Sequence, residues 1–198
     1  QATQDSGSLQ THDSPQVTVV AGLPAEPRAR PSESRGDILT GMKRKVYIET
    51  SIVSYLANRR SRDMVIAAHQ EITLQWWEQR AGAFALVISE LVREEAGGGD
   101  PAAATERLAA IENLPILAVS NEAVALAEHL VTAGPIPNSS AADALHVAIA
   151  AVNGIDYLLT WNCKHLANAV HRHQIEALVQ EAGYACPVIC TPEELMED

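Results

Sequence analysis

Polar residues stand directly after apolar segments or at a helix start, where their side chains are placed for chemistry. Glu49 follows the apolar residues 46–48, and Asn162 comes shortly after the apolar residues 157–159. Asp143 lies one turn into a segment of small and apolar residues that repeat at helical spacing. The helix dipole stabilises a carboxylate in a first helical turn, so Asp143 taken alone has a purely structural explanation.

A cluster of glutamates follows the apolar residues 84–88. Glu90 and Glu94 are four residues apart and share one helical face, whereas Glu95 points about 100° away from Glu94. These three side chains cannot all enter one pocket, so at least one of them is surface charge.

Carboxylates from separate segments converge if those segments are parallel strands, because the carboxyl ends of such strands lie at one edge of the sheet. Several carboxylates share a pocket as anions only when a cation compensates their charge. Sites that are rich in oxygen and free of cysteine suit Mg²⁺ or Mn²⁺. Hydrolysis of a phosphodiester by a metal-activated water is the chemistry that follows.

The elements that must position these residues alternate between short apolar runs and amphipathic stretches. We predict strands at residues 46–48, 84–88, 116–119, 157–159 and 187–190. We predict helices that begin near Ile52, after Asp63, after Ser89, at Asp100-Pro101, after Ser120, at Ala141 with Ser139 and Ser140 as caps, and around residues 175–180, with a short helix at residues 191–194. Helices that alternate with short strands predict a three-layer α/β/α domain around a mostly parallel central sheet.

The first 41 residues differ in composition from the rest of the chain. They are rich in Ser, Pro, Gly, Gln and charged residues, and Met42 is followed by three basic residues that resemble a start of translation. Such a composition cannot bury enough apolar surface to fold. We predict one folded domain over residues 42–198, preceded by a disordered extension, a cloning-derived leader or sequence upstream of a misassigned start.

The charge and apolar content of the chain limit its partners. A net charge of -11 disfavours a protein that grips nucleic acid over a broad surface. A small acidic centre that binds a divalent metal, with a few local cations for phosphate, remains compatible with that charge. The sequence has no apolar run of membrane-spanning length and no signal-peptide pattern, so we expect no membrane partner.

The chain has three cysteines, an odd number without CxxC spacing. This pattern indicates reduced thiols in the cytoplasm rather than a disulfide framework. A zinc site at Cys163 with His165, His171 and His173 is disfavoured, because no second ligand pair of the usual spacing accompanies it.

Four segments with polar residues occur in order between about Lys45 and the C-terminus, namely VYIETSIVSYL, VISELVREEAGGGD, SAADALHVAIA and YLLTWNCKHL. They resemble the successive motifs of PIN-domain ribonucleases, in particular the VapC-like toxins of VapBC-type (type II) toxin–antitoxin pairs. The resemblance implies a PIN-like fold, Mg²⁺- or Mn²⁺-dependent endoribonuclease activity, an RNA substrate and a cognate antitoxin.

The resemblance assigns roles to residues of the first and third motifs. Glu49 takes the first acidic position, where the family usually has aspartate, so its extra methylene requires a small backbone shift or a displaced metal. Thr50 and Ser51 match hydroxyl positions that orient the acid or a bound water. Asp143 matches the third acid.

The second and fourth motifs depart further from the family pattern. Counting from Ser89 best aligns Glu95 with the second acid, and Glu90 and Glu94 remain alternatives. Asn162 stands where many relatives carry a fourth aspartate. Its amide oxygen is still able to bind a metal or a water, but it adds no charge. The number of metal ions in the site, one or two, is therefore left open by the resemblance.

Basic residues near these motifs are candidates for contact with RNA phosphates. Arg59, Arg60 and Arg62 form the densest group of cations in the domain, although a solvated loop explains them equally well. Lys164 and His165 follow the asparagine of the fourth motif and are placed to meet the scissile phosphate.

Two further features bear on packing. His146 lies three residues after Asp143, and we favour a packing or hydrogen-bonding role for it over a place at the pocket rim. Trp76 and Trp77 lie on the long second helix, where packing in a core or interface is favoured over base stacking. Because one of these rings should exceed what a small core encloses, and because the family resemblance agrees, we predict a homodimer.

Two other functions are alternatives to the nuclease, and the sequence disfavours the second of them. A PIN fold without catalytic activity would bind RNA or protein without cutting, and Glu49 and Asn162 favour it. A phosphotransfer domain is disfavoured, because a receiver needs paired acids at the end of the first strand and a haloacid-type phosphatase needs a DxD there.

Overall fold

The structure of the protein is a computed structural model that describes residues 42–196. The predicted extension over residues 1–41 lies outside the described residues. Within residues 42–196, no helix combines the length and the apolar content that crossing a membrane requires.

A five-stranded sheet forms the centre of the domain, and all of its strand pairs are parallel. The strands are β1 (Lys45–Ile48), β2 (Ala85–Ser89), β3 (Ile116–Leu117), β4 (Tyr157–Leu159) and β5 (Val188–Cys190), and their order across the sheet is β3-β2-β1-β4-β5. The predicted parallel α/β fold is therefore confirmed. The strand order reverses between β1 and β4, and ligands of such sheets bind beyond the carboxyl ends of the strands at this switch point.

Within residues 42–196, seven α-helices connect and cover the strands. They are α1 (Thr50–Ala57), α2 (Met64–Gln79), α3 (Glu90–Ala96), α4 (Pro101–Ile111), α5 (Asn121–Ala133), α6 (Ala141–Val152) and α7 (Ala169–Glu181). Most of them start at the residues that the sequence predicted. Asp63, Ser89, Asp100 and Ser120 each accept a hydrogen bond from a backbone N–H of the first turn that follows.

The structure departs from the predicted elements at two helix starts. Ser139 and Ser140 make no capping hydrogen bond to α6, and residues Asn138–Ser140 instead form a 3₁₀ turn that leads into the helix. Helix α7 begins at Ala169, about six residues earlier than predicted, with Asn168 accepting a hydrogen bond from the Val170 N–H. The polar sequence of its first turns concealed this start.

The core lies on both faces of β1 and around α6. Val46, Tyr47 and Ile48 of β1 are fully buried, so helices cover both faces of the sheet as a three-layer architecture requires. Helix α6 is buried from Val147 to Ala151, and its small side chains let it pack closely against its neighbours. The central strand and α6 thus carry their polar residues on rigid elements.

Candidate functional site

Glu49 occupies the carboxyl end of β1 and serves as the N-cap of α1. Its Oε2 atom accepts a hydrogen bond from the Ser51 N–H at 3.1 Å and further bonds from the hydroxyls of Ser51 and, at 2.7 Å, Thr160. The side chain is only 6% exposed. The extra methylene of glutamate is therefore accommodated by folding the carboxylate back over the helix start, with its Oε2 atom fixed by three donors.

The turn after β4 is tied to the same place. The Trp161 N–H donates to Ser51 Oγ at 2.8 Å, and the Asn162 N–H donates to Thr160 Oγ1 at 2.9 Å. The Glu49 N–H donates to the Leu159 carbonyl oxygen at 3.1 Å, which extends the pairing of β1 with β4. The ends of the two strands at the switch point are thereby held in one fixed arrangement.

Glu95 is the glutamate of the second motif that reaches this centre. Its Oε2 atom accepts hydrogen bonds from the Thr50 hydroxyl and from His146 Nε2, the latter at 3.0 Å. Burial acts to raise the pKa of Glu95, but the hydrogen bond and charge of His146 and the hydrogen bond from Thr50 outweigh it and lower the pKa. Glu95 is therefore an anion at neutral pH.

The two alternatives to Glu95 lie elsewhere. Glu90 is exposed, and its Oε2 atom accepts a hydrogen bond from the Val119 N–H at 3.2 Å, so it joins α3 to the segment after β3. Glu94 is exposed on the same helix. Both side chains thus belong to the surface of α3.

Asp143 in the first turn of α6 is half-buried and lies within electrostatic range of Glu49. Burial raises the pKa of Asp143, and a hydrogen bond from the Asn162 side chain and the charge of His165 only partly offset this. The Oδ1 atom of Asn162 accepts the His165 N–H at 3.1 Å, so its amide nitrogen is the atom that donates to Asp143. The expected role of the Asn162 oxygen as a metal ligand stays a prediction.

Glu49, Glu95 and His146 each offer a potential ligand atom, and these atoms lie within 4.8 Å of one another. Asp143 is not one of these three residues, but its carboxylate interacts electrostatically with Glu49. Each glutamate is anchored through Oε2, and among residues 42–196 neither Oε1 atom has a protein donor. A set of carboxylate oxygens of this kind fits a hard divalent cation.

The buried side chains behind Glu95 form a hydrogen-bonded chain. His146 is 1% exposed, and its Nδ1 atom lies 2.8 Å from the Tyr47 hydroxyl, which lies 2.6 Å from Ser89 Oγ. A hydrogen-bonding role for His146 agrees with the prediction, but Tyr47 and Ser89 behind His146, and Thr160 beside Glu49, were not predicted as parts of the site. The one feature of the sequence that indicated a contact with His146 is the hydroxyl of Tyr47 between two apolar residues of β1.

The predicted phosphate-binding cations are exposed. Arg59, Arg60 and Arg62 follow α1 at the end opposite Glu49, which α1 places about 12 Å away. Arg60 lies 3.6 Å from Glu71, and Arg59 lines a cleft of about 560 Å³. Lys164 is exposed in the turn just past Asn162. Their contact with RNA stays a prediction.

The tryptophans of α2 take two different positions. Trp76 is fully buried and stacks on Phe84 with ring centroids 5.9 Å apart, whereas Trp77 is partly buried and packs edge-on against Trp76. The core thus encloses the larger part of both rings, contrary to the reason given for a homodimer. The more exposed apolar side chains of this helix are Met64, Val65 and Leu74.

The three cysteines are free thiols, of which Cys163 is exposed and Cys186 and Cys190 are buried. Burial raises the pKa of Cys190 to about 12, so this thiol stays protonated. Within the described residues, no cluster of three potential metal ligands forms around Cys163.

No protein-family model matches the chain, and no curated protein sequence matches it significantly. Among solved structures, the chain is similar to VapC20 of Mycobacterium tuberculosis, described as a sarcin-ricin loop cleaving toxin, with a TM-score of 0.48 and 17% identity over 60% of this chain and 91% of that chain. It is also similar to a chain of VapBC2 from Rickettsia felis bound to a DNA fragment from their promoter, with a TM-score of 0.46 and 16% identity over 74% of this chain and 98% of that chain.

Proposed function

We propose that the protein is a metal-dependent endoribonuclease that hydrolyses phosphodiester bonds of RNA, acting as the toxin of a VapBC-type pair. The observation that carries the proposal is the cluster of Glu49, Glu95 and His146 at the switch point of the sheet, together with the electrostatic interaction of Asp143 with Glu49. These residues come from three separate motifs of the sequence. The ordered resemblance of those motifs to PIN-domain ribonucleases supports the substrate class.

The carboxylates of Glu49, Glu95 and Asp143 would hold Mg²⁺ or Mn²⁺. A divalent cation there supplies positive charge that lowers the pKa of a water molecule and stabilises the developing charge on phosphate. The chain itself contributes orientation. Thr50 fixes Glu95, and Ser51 and Thr160 fix Glu49, so that the acids need not reorganise during the reaction.

The partners follow from the same proposal. Arg59, Arg60, Arg62 and Lys164 would contact RNA phosphates, since they are exposed cations in an acidic domain. An antitoxin protein would bind and silence the enzyme, and a second copy of the chain would complete a homodimer. Three free thiols favour the cytoplasm as its compartment.

Cleavage of RNA in a Mn²⁺ titration tests this function, with two adjacent glutamates as a matched pair of variants. We expect Glu95→Gln and Asp143→Ala to reduce cleavage by about 100-fold or more, since each removes several kcal/mol of transition-state stabilisation. Glu94→Gln removes the same charge from the surface of the same helix and should cut like the wild type. Equal activity of the Glu95 and Glu94 variants would refute the assigned site.

The alternative function is a PIN-like fold that binds RNA or protein without cutting. Two observations favour it, namely glutamate at position 49 and the donor role of Asn162 towards Asp143. A wild-type protein that neither binds Mn²⁺ in calorimetry nor cuts any RNA would establish this alternative over the nuclease.

A further inference from the structure

His146 lies behind Glu95 with both of its ring nitrogens engaged. Its Nδ1 atom is 2.8 Å from the Tyr47 hydroxyl, and its Nε2 atom is 3.0 Å from Oε2 of Glu95. The ring also packs edge-on against that of Tyr47, with centroids 5.8 Å apart. The imidazole is therefore fixed in position and orientation by contacts from β1 and α3.

The direction of the hydrogen bonds decides which nitrogen carries a proton. Ser89 Oγ already accepts the Val92 N–H at 3.2 Å, so its hydroxyl is free to donate to Tyr47, and Tyr47 then donates to Nδ1. This order places the imidazole proton on Nε2, facing Glu95. The distance of 3.0 Å between Nε2 and Oε2 of Glu95 agrees with this assignment, because a carboxylate oxygen accepts and the nitrogen must therefore donate.

The hydrogen-bonded chain is shielded from solvent. Tyr47 and Ser89 are fully buried, and His146 is 1% exposed. Water therefore does not compete for the hydrogen bonds that join Tyr47 to Ser89 and to Nδ1 of His146, and these bonds hold the imidazole ring in one orientation.

A protonated Nε2 cannot bind a metal, although it lies within 4.8 Å of the carboxylates of Glu49 and Glu95. It donates instead to Oε2 of Glu95, which also accepts from the Thr50 hydroxyl. Among the residues described, Oε1 of Glu95 has no protein donor. Glu49 shows the same division, with three donors on Oε2 and none on Oε1.

We infer that His146 is a positioning residue, which holds Oε2 of Glu95 through its Nε2–H so that Glu95 offers only Oε1 to the cation. This inference rests on the proposed function for the presence of the cation. Partners of this kind orient a ligand and raise its basicity, and their loss typically costs about 10–100-fold in metal affinity. Tyr47 and Ser89 are the residues that hold His146 in turn.

Calorimetry of Mn²⁺ binding to the full chain tests the inference with two variants of His146. The amide nitrogen of His146→Gln reaches the place of Nε2, and that of His146→Asn reaches only the place of Nδ1. We expect Mn²⁺ affinity to fall about tenfold or more in His146→Asn. It should fall by much less in His146→Gln, because the donor to Glu95 is kept.

Equal Mn²⁺ affinities for wild type and both variants would overturn the inference, and so would an equal loss in both. If the wild type itself binds no Mn²⁺, the proposed function fails as well. If the wild type binds Mn²⁺ and the variants bind it equally well, only the inference fails. Thermal unfolding of each variant shows whether it is folded.

Two measurements decide the inference even if the His146 variants do not fold. Tyr47→Phe removes one oxygen and releases Nδ1, and we expect it to weaken Mn²⁺ binding several-fold. Nitrogen NMR of His146 in the wild type should show a proton on Nε2 both without metal and with Mg²⁺. An unprotonated Nε2, or loss of its proton when Mg²⁺ is added, would make His146 a ligand and overturn the inference.

Discussion

Asn162 lowers the pKa of Asp143 through a side-chain hydrogen bond, and its Oδ1 atom accepts the His165 N–H at 3.1 Å. This contact gives a half-buried carboxylate a donor in a place where burial raises its pKa. An aspartate at position 162 would keep an acceptor for His165 but would set two carboxylates against each other. The asparagine therefore relieves charge at the site and also fixes the turn after β4.

We predict that Asn162→Asp lowers the free energy of unfolding by about 2 kcal/mol in the absence of metal. The variant loses a hydrogen bond to a charged group, which is worth about 1.5–3 kcal/mol, and gains a repulsion. In Mn²⁺ the same variant should be stabilised more than the wild type, because the added carboxylate attracts the cation. Urea unfolding with and without Mn²⁺, together with calorimetry, measures both effects.

Asn113→Asp provides the control for the added charge, since Asn113 is exposed after α4, far along the chain from the site. It should change neither stability nor Mn²⁺ affinity appreciably. Equal Mn²⁺ affinity for Asn162→Asp and the wild type would mean that position 162 faces away from the cation and acts only on the fold.

The types of the site residues could be read from the sequence, but their contacts could not. Glu49 and Asp143 stand out because a carboxylate beside an apolar segment is costly to bury and therefore indicates a functional role. Glu49 folds back onto Thr160, which is 111 residues later, and no local pattern predicts that pair. The donor role of Asn162 likewise depends on the His165 backbone, which only the folded turn brings within reach.

The strands are the elements that the sequence predicted best. Each is a short apolar run, and a parallel sheet buried on both faces favours such runs over alternating patterns. Helix starts with a capping side chain were also predictable, as at Asp63 and Ser120. The start of α6 at Ala141 was predicted as well, but its cap was not, because a 3₁₀ turn stands where Ser139 and Ser140 were expected to cap.

Gly134 ends α5 and begins the segment that leads to α6. A Cβ atom at this position would lie 2.3 Å from the carbonyl oxygen of Leu130 and 2.9 Å from Cδ1 of Leu178. We predict that Gly134→Ala lowers the free energy of unfolding by about 1–3 kcal/mol, because backbone and α7 must move to admit the methyl group. Urea unfolding monitored by circular dichroism measures this change.

Gly82→Ala is the matched control, since no atom lies within 4 Å of the Cβ that it would add. Its free energy of unfolding should stay within about 0.5 kcal/mol of the wild type. If the two variants were equally stable, the close approach of α5 and α7 at Gly134 would not exist in solution.

At the scale of the whole molecule, residues 42–196 contain a continuous core from the sheet to the outer helices. We predict that a chain beginning at Met42 unfolds within about 2 °C of the full chain, which corresponds to less than about 1 kcal/mol for a domain of this size. The composition of residues 1–41 is the reason, because it offers little apolar surface to bury. Differential scanning calorimetry of both chains measures the difference.

A larger drop in the melting temperature would mean that the first 41 residues pack on the domain. The short apolar stretch at residues 17–20 would then be the first segment to replace with polar residues.

The pairing of β1 with β4 has a consequence for the time at which the protein becomes active. A ribosome delivers Glu49 and Glu95 before Asp143 and Thr160, and Thr160 follows Glu49 by 111 residues. Until β4 has left the exit tunnel, the central strand lacks one neighbour and Glu49 lacks the donor that fixes it. If the protein cuts RNA as proposed, the nascent chain is therefore inactive until β4 has emerged from the ribosome.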